Sequence, residues 1–344
     1  MIAKLFVSLD LIKILEEGFM KSIRLIYFVG MVLLLSVVGL ACGKKETADT
    51  NANITKSAQG SGDVTPTKPV EATKAPESGE NSPWKLLSTS TVETAVFYAG
   101  FLNESLGVTV GYEGAVSYTS DGGKTWTDAK IKPSACRYGL DYLNESFLVT
   151  SGNFGVNRLS KDKGKTWSDL GEFPLKSGNE YNKFLSVIDQ KKMYIGAPKS
   201  FGVTTDGGKT WKELALPKDC KIIAGMNFMN EKTGYILSMD GNLFKTNDSC
   251  KTWTKQPVNL FGEMINKSAM SAVAINFKDE NNGTIVFATK SYKMLCITTK
   301  DGGANWENVP MPKVNGMAPY LSKDGKYLTV SSVVKNISLY QLNQ

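Results

Sequence analysis

Histidine is absent from all 344 residues. That removes the commonest general base and metal ligand, and with them every Ser-His or Cys-His nucleophile pair and any HExxH zinc site. Arginine is nearly absent too, occurring only as Arg24, Arg137 and Arg158. The formal charge is +7 with a pI near 8.9, yet it is carried by lysines spread along the chain. Nucleic-acid binders concentrate arginine on one face, so no nucleic-acid partner is expected. No GxxxxGK[ST] loop occurs either, because the glycines lie in DGG turns followed by KTW rather than by a helix. No cofactor and no metal site is expected on these grounds.

Aromatic residues are missing from one long stretch, 43–82, which is rich in Thr, Ala, Lys, Ser, Gly and Pro. Such a segment cannot bury enough apolar surface to offset its ordering entropy, and it reads as a flexible tether with a reach of about 35 Å. Before it stands MKSIRLIYFVGMVLLLSVVGLAC, from Met20 to Cys42. Lys21 and Arg24 precede an apolar run that ends in small residues, the layout of a secretory signal. VGLAC (Val38 to Cys42) resembles the bacterial lipobox, with Gly39 where leucine is usual, and the resemblance implies lipidation of Cys42. Residues 1–19 fit a leader poorly. EEGFM (Glu16 to Met20) can be encoded with a ribosome-binding sequence just ahead of an ATG, so Met20 is expected to be the true start. The expected organisation is a signal peptide over 1–41, a lipidated tether over 42–82 and a folded domain over 83–344, on the outer face of a bacterial cytoplasmic membrane.

The rest of the chain is repetitive. SDGGKTW (Ser120 to Trp126) returns as TDGGKTW (Thr205 to Trp211), and Trp126, Trp167, Trp211, Trp253 and Trp306 follow one another at spacings of 41, 44, 42 and 53 residues. A period near 40 with short alternating strands is the mark of propeller blades. Polar hairpins precede the repeats at Phe101, Tyr142, Val187, Phe228, Phe277 and Leu321, which makes six. The last blade lacks a tryptophan strand of its own. The segment at Trp84, 42 residues before Trp126, is expected to supply it and close the ring against the strand candidate 337–342. The fold class is therefore all-β: a single six-bladed propeller of four-stranded antiparallel blades, its ends closed edge to edge.

The repeated Ser/Thr-x-Asp-x-Gly-x-Thr-Trp resembles the Asp box, or BNR repeat, of sialidases and other propellers. Three copies are complete, with Asp121 and Trp126, Asp162 and Trp167, and Asp206 and Trp211. Asp248 and Trp253 bracket a copy with Cys250 in place of glycine, and Asp301 and Trp306 a copy with Asn305 in place of threonine. The resemblance implies structural staples remote from the binding face. Sialidases hold their substrate carboxylate with three arginines, whereas this domain contains only two arginines in all, Arg137 and Arg158, so a typical sialidase is not implied. TVGYEGAVSYTSDGGKTW (Thr109 to Trp126) also resembles the repeats of the photosystem II stability and assembly factor family, whose propellers commonly have seven blades. Seven is thus the alternative count. That likeness implies a binding protein without assigned chemistry.

Partners of propellers usually meet the face built by the links between blades and the turns joining second to third strands. Those turns contain Tyr112 and Glu113, Asn153 and Phe154, Lys199 and Phe201, Asp240, Tyr292 and Lys293, and Lys335. Exposed aromatic residues beside lysines suit a protein anchor or a sugar ring, and the charge favours an anionic partner. The alternative for Phe154, Phe201 and Tyr292 is that they plug gaps between blades. No catalytic residue is assigned. The expected function is a monomeric, membrane-anchored binding or assembly scaffold for a protein or a cell-surface glycan, the alternative being a carbohydrate-active enzyme. Cys136, Cys220, Cys250 and Cys296 fall on different blades and read as four small apolar residues rather than a disulfide framework.

Overall fold

The computed structural model describes residues 81–343, apart from 94, 133–134, 175–180, 268–272, 315 and 333–334. These residues belong to one compact unit, Pro69–Gln344. The expected leader, Cys42 and the tether up to residue 80 lie outside the described residues.

The first strand, β1 (Trp84–Thr91), is followed by five blades in direct succession. Blade 1 is β2 (Val96–Phe101), β3 (Gly107–Gly111), β4 (Ala115–Thr119) and β5 (Thr127–Lys130). Blade 2 is β6 (Arg137–Asn144), β7 (Phe147–Gly152), β8 (Val156–Ser160) and β9 (Ser168–Glu172). Blade 3 is β10 (Phe184–Val187), β11 (Met193–Ala197), β12 (Ser200–Thr204) and β13 (Lys212–Leu214). Blade 4 is β14 (Ile223–Phe228), β15 (Gly234–Ser238), β16 (Leu243–Thr246) and β17 (Thr254–Gln256). Blade 5 is β18 (Val273–Phe277), β19 (Gly283–Ala288), β20 (Met294–Thr299) and β21 (Glu307–Val309). Blade 6 is β22 (Ala318–Leu321), β23 (Tyr327–Ser331), β24 (Asn336–Leu342) and then β1, so the N-terminal strand is its outer edge. Trp84 pairs with Leu342 and Thr91 with Asn336, with a bulge between Leu86 and Ser88. Every sheet is antiparallel, and the six innermost strands stand side by side in a closed ring, β22 returning to β2. The chain is a six-bladed β-propeller closed by its two ends.

Inner and middle strands are buried on both faces, as in GVTVG of β3 and YILS within β15, whereas β13 and β17 are mostly exposed and β21 is half-buried. One packing unit recurs. A phenylalanine ending the first strand lies across the hairpin from a glycine: Phe101 from Gly107, Phe228 from Gly234, Phe277 from Gly283. A Cβ at Gly234 would come within 2.1 Å of the Phe228 ring, so only glycine leaves room for it. The tryptophan of the same blade meets each ring edge-on, with centroids 5.8 Å apart for Phe101 and Trp126 and 6.1 Å for Phe277 and Trp306. Between blades, Tyr194 stacks on Phe228 and Tyr235 on Phe277, both at 3.6 Å. Such aromatic pairs contribute about 0.5–1.5 kcal/mol beyond the area they bury.

Candidate functional site

Backbone hydrogen bonds sort the loops into two faces. On one, the links between blades bond the turns that join second to third strands: Tyr112 N–H donates to Ala95 O, Asn153 N–H to Cys136 O, Ile223 N–H to Pro198 O, and Lys290 N–H to Met264 O. On the other, the turns between third and fourth strands bond the first hairpins: Gly122 N–H donates to Ser105 O, Gly207 N–H to Lys191 O, and Gly302 N–H to Asn281 O. We call them the link face and the hairpin face.

The five aspartates lie on the hairpin face, each consumed by its own turn. Asp121, Asp162, Asp206, Asp248 and Asp301 each accept the hydroxyl of the serine or threonine two residues before, at 2.8–2.9 Å. The Thr125, Thr166, Thr210 and Thr252 hydroxyls and the Asn305 amide donate to the second carboxylate oxygen at 2.5–2.7 Å. These bonds, led by the threonine hydroxyl, hold Asp121, Asp206 and Asp248 down to about 2, and those of Asn305 do the same for Asp301. Cys250 replaces the glycine of blade 4 without changing the pattern: its N–H still donates to Thr246 Oγ1 at 3.0 Å, at φ 67. The turns also rest on the preceding blade. Gly164 faces Val108 and Tyr118, Gly208 faces Leu170, and Gly303 faces Leu243, so each turn fastens two blades together. Among the described residues no group of His, Cys, Asp or Glu gathers that could hold a metal.

The link face is different. Tyr112, Phe154 and Tyr292 are exposed by 53%, 71% and 70%, and Ile222 and Met264 protrude from the links beside them. Apart from Leu86 and Leu87 on β1, these are the exposed large apolar residues among those described. Phe154 and Tyr292 sit at φ 58 and 62 and Glu113 at φ 50, a region that costs side-chain-bearing residues energy and that glycine occupies freely. Bulky residues held there are the kind of backbone outlier that gathers at functional sites. Lys199, Asp240, Lys293 and Lys335 are exposed on the same face, and Asp240 lies 3.4 Å from Lys267. Asn153 is partly buried and bridges to Tyr181. Glu113 and Asp240 stand on blades 1 and 4, on opposite sides of the ring.

Phe201 is a correction. The turn between β11 and β12 spans only Pro198 and Lys199, with Ala197 pairing with Ser200, so Phe201 already lies in a strand opposite Leu214. It is fully buried, edge-on to Trp253. Filling a gap between blades is its role, while Phe154 and Tyr292 face solvent.

Two features escaped the sequence reading. An aromatic row crosses blades 1 and 2 on the link face: Tyr112 meets Phe97 edge-on, Phe97 stacks on Tyr138 at 5.1 Å, and Tyr138 leans on Tyr181 at 4.3 Å. Phe97 and Tyr138 are each the second residue of an inner strand, so aligning the repeats strand by strand would have revealed the pair. The second feature is the central channel, lined by all six inner strands and holding about 70 Å³ of space open to water. That is room for a handful of waters. Buried Asp141 accepts the Val187 N–H at 2.7 Å and faces Lys323 Nζ at 3.3 Å. Lys323 comes from the hairpin of blade 6 and also donates to Val187 O. Burial pushes the Asp141 carboxyl up, against the pull of Lys323. Lys183 also lines the channel, and desolvation brings its ammonium down to about 8. Hydrophobic periodicity reports burial but not which strand end points at the axis, so these three carried no signal.

Both arginines of the domain are spent on structure. Arg137 is buried and donates to Val156 O at 2.9 Å, while Arg158 bonds Lys132 O, Asn157 O and Asp169. The four described cysteines are free, and burial pushes the Cys220 thiol to about 11 and the Cys296 thiol to about 12.

A family model described as sortilin, neurotensin receptor 3 matches residues 199–326, well under half of the chain. No curated protein matches significantly. Among solved structures, the chain is similar to YCF48 from Cyanidioschyzon merolae, with 16% identity, TM-score 0.50, and 75% of this chain and 98% of that one covered. It is also similar to a chain of the mitotic checkpoint complex, with 10% identity, TM-score 0.53, and 81% and 99% covered. YCF48 bound to D1 peptide aligns with 13% identity, TM-score 0.48, and 78% and 97% covered. At such identities the likeness concerns the fold, and on that the family model, the solved structures and the six sheets agree: this chain is a β-propeller.

Proposed function

We propose that the protein is a lipid-anchored, extracytoplasmic scaffold whose propeller binds a protein partner on its link face. One observation carries this reading: the exposed apolar side chains gather on that face, and two of them, Phe154 and Tyr292, are held at positive φ. Exposed apolar patches on otherwise polar surfaces mark interaction sites, with aromatic anchors at their centre. The fold is also one that serves inside assemblies, as in the mitotic checkpoint complex. The sequence up to Cys42 supports export and lipidation, and the tether would let the propeller stand off the membrane. The five repeated turns are read as Asp boxes acting as rivets, supported by the hydrogen-bond pattern all five share. A glycan on the same aromatic residues is the finer alternative.

The test is site-specific photo-cross-linking on intact cells. A cross-linker at Phe154 or Tyr292 should yield discrete protein adducts, while one at Lys209 or Lys251 on the hairpin face should yield none. Adducts from the hairpin face alone would refute the reading, and glycan adducts would replace the protein partner.

A further inference from the structure

The positive charge of the domain is unevenly placed. Among the described residues, lysines outnumber carboxylates two to one in the loops of the link face, whereas on the hairpin face the two signs nearly cancel. Pairing differs as well. On the hairpin side Lys163 meets Glu145 at 2.7 Å, Lys192 meets Glu231 at 3.6 Å and Lys323 meets Asp141. On the link face Lys267 meets Asp240 at 3.4 Å, but Lys199, Lys218, Lys221, Lys290 and Lys293 are exposed, and among the described residues none of these five is paired with a carboxylate. These five lie among the apolar tips. The Ile223 N–H donates to Pro198 O at 2.8 Å, placing Ile222 beside Lys199, and the Lys290 N–H donates to Met264 O at 2.9 Å, two residues from Tyr292.

Unpaired like charges on one face raise its potential and steer an anionic partner. A bilayer fits poorly, because Glu113 next to Tyr112 and Glu263, whose Oε2 accepts Ser291 Oγ at 3.5 Å, would be pressed against anionic headgroups. A protein surface can answer those carboxylates with cations of its own. Resting on the reading of the link face as the binding face, we infer that the partner is a protein with an acidic surface carrying apolar side chains. Lys199, Lys221, Lys290 and Lys293 meet its carboxylates, and Ile222, Met264 and Tyr292 meet its apolar groups.

The test uses the purified full chain and three labelled peptides: one rich in Glu and Asp with Leu and Phe, its counterpart with Lys replacing the acids, and an acidic one without apolar residues. Vesicles of phosphatidylglycerol and phosphatidylcholine are the fourth probe. The acidic apolar peptide should bind best, and raising salt from about 50 to about 200 mM should weaken it several-fold. The K199E/K221E/K290E/K293E variant should lose at least ~10-fold in affinity, whereas K124E/K209E/K251E on the hairpin face should change it less than ~2-fold. Equal binding of the Lys peptide, or binding of vesicles without the acidic peptide, overturns the inference. A basic or neutral protein cross-linked from Phe154 would overturn it too while leaving the binding face in place; adducts from the hairpin face alone would remove both.

Discussion

The two faces of the propeller use their turns in opposite ways. On the hairpin face, each aspartate of the repeated turns bonds hydroxyl and N–H groups of its own loop, and Gly164, Gly208 and Gly303 rest on the neighbouring blade. Little chemistry is left over for anything outside. On the link face, Phe154 and Tyr292 take the conformation glycine prefers and offer their rings to water, amid lysines without counter-charges. The first face commits its polar groups to the domain, while the second leaves aromatic rings and lysines exposed. The difference teaches that repetition in the sequence tracks folding, and that function is to be sought where the repeats diverge.

If the division holds, substitutions on the hairpin side should act on stability and those on the link side on binding. The largest effect is expected for Trp306→Ala. Trp306 is 8% exposed, and its Nε1 donates to Gly303 O and Pro257 O. Its loss should cost about 3–5 kcal/mol, read as a lower urea midpoint, with no change in cross-linking from Phe154 in the molecules that remain folded. Loss of link-face capture from a folded variant would break the comparison.

Next is Lys323→Met, which strands the buried Asp141 carboxylate. Breaking a fully buried pair costs about 3–5 kcal/mol, and with Lys323 partly in water about 2 kcal/mol is expected. Adding Asp141→Asn should restore part of the loss, by the same denaturation measurement. A double variant no better than the single one would mean that the lysine packs rather than pairs.

The doubly substituted Phe154→Gly/Tyr292→Gly protein should move the other way. Relief of the left-handed strain should leave stability unchanged or raise it by up to about 1 kcal/mol, while cross-linking from Lys293 to the partner drops by at least ~10-fold. A destabilised protein with intact capture would show that the rings serve the fold.

The mildest effect is one of pH. Asp121, Asp206, Asp248 and Asp301 have carboxyls held to about 2 in the folded state against an ordinary 3.8. Their contribution is therefore complete above the ordinary value and is lost as pH falls from there through about 2. Urea midpoints should decline across that window, and Asp206→Asn should flatten the decline slightly while link-face binding at neutral pH stays the same.

How much of this could be read in advance varied with the residue. Six hairpins and the isolated Trp84 segment sufficed for the six-bladed count and for the pairing of that segment with the last strand, whose register of Trp84 with Leu342 the structure supplies, because strand alternation and turn chemistry are local and the ring has only one free edge to fill. Exposure was harder. Phe201 and Phe154 occupy similar places in the sequence pattern, yet a two-residue turn draws one into a strand and a longer turn pushes the other to its apex. Ile222 and Met264 look like ordinary link residues until their neighbours are known.

The sequence alone determined the periodic elements, the alternating strands and the Asp-Gly turns with their tryptophans, which are set by interactions between residues a few positions apart; the closing strand followed only from the count of strands left without a partner. Only the tertiary structure decided which side chains meet the axis and which meet water. Asp141, Val187 and Lys323 come from three blades, and the unpaired lysines become one field only when six blades set their loops side by side. Contacts between residues distant in the chain depend on how the ring closes, and no local pattern encodes them.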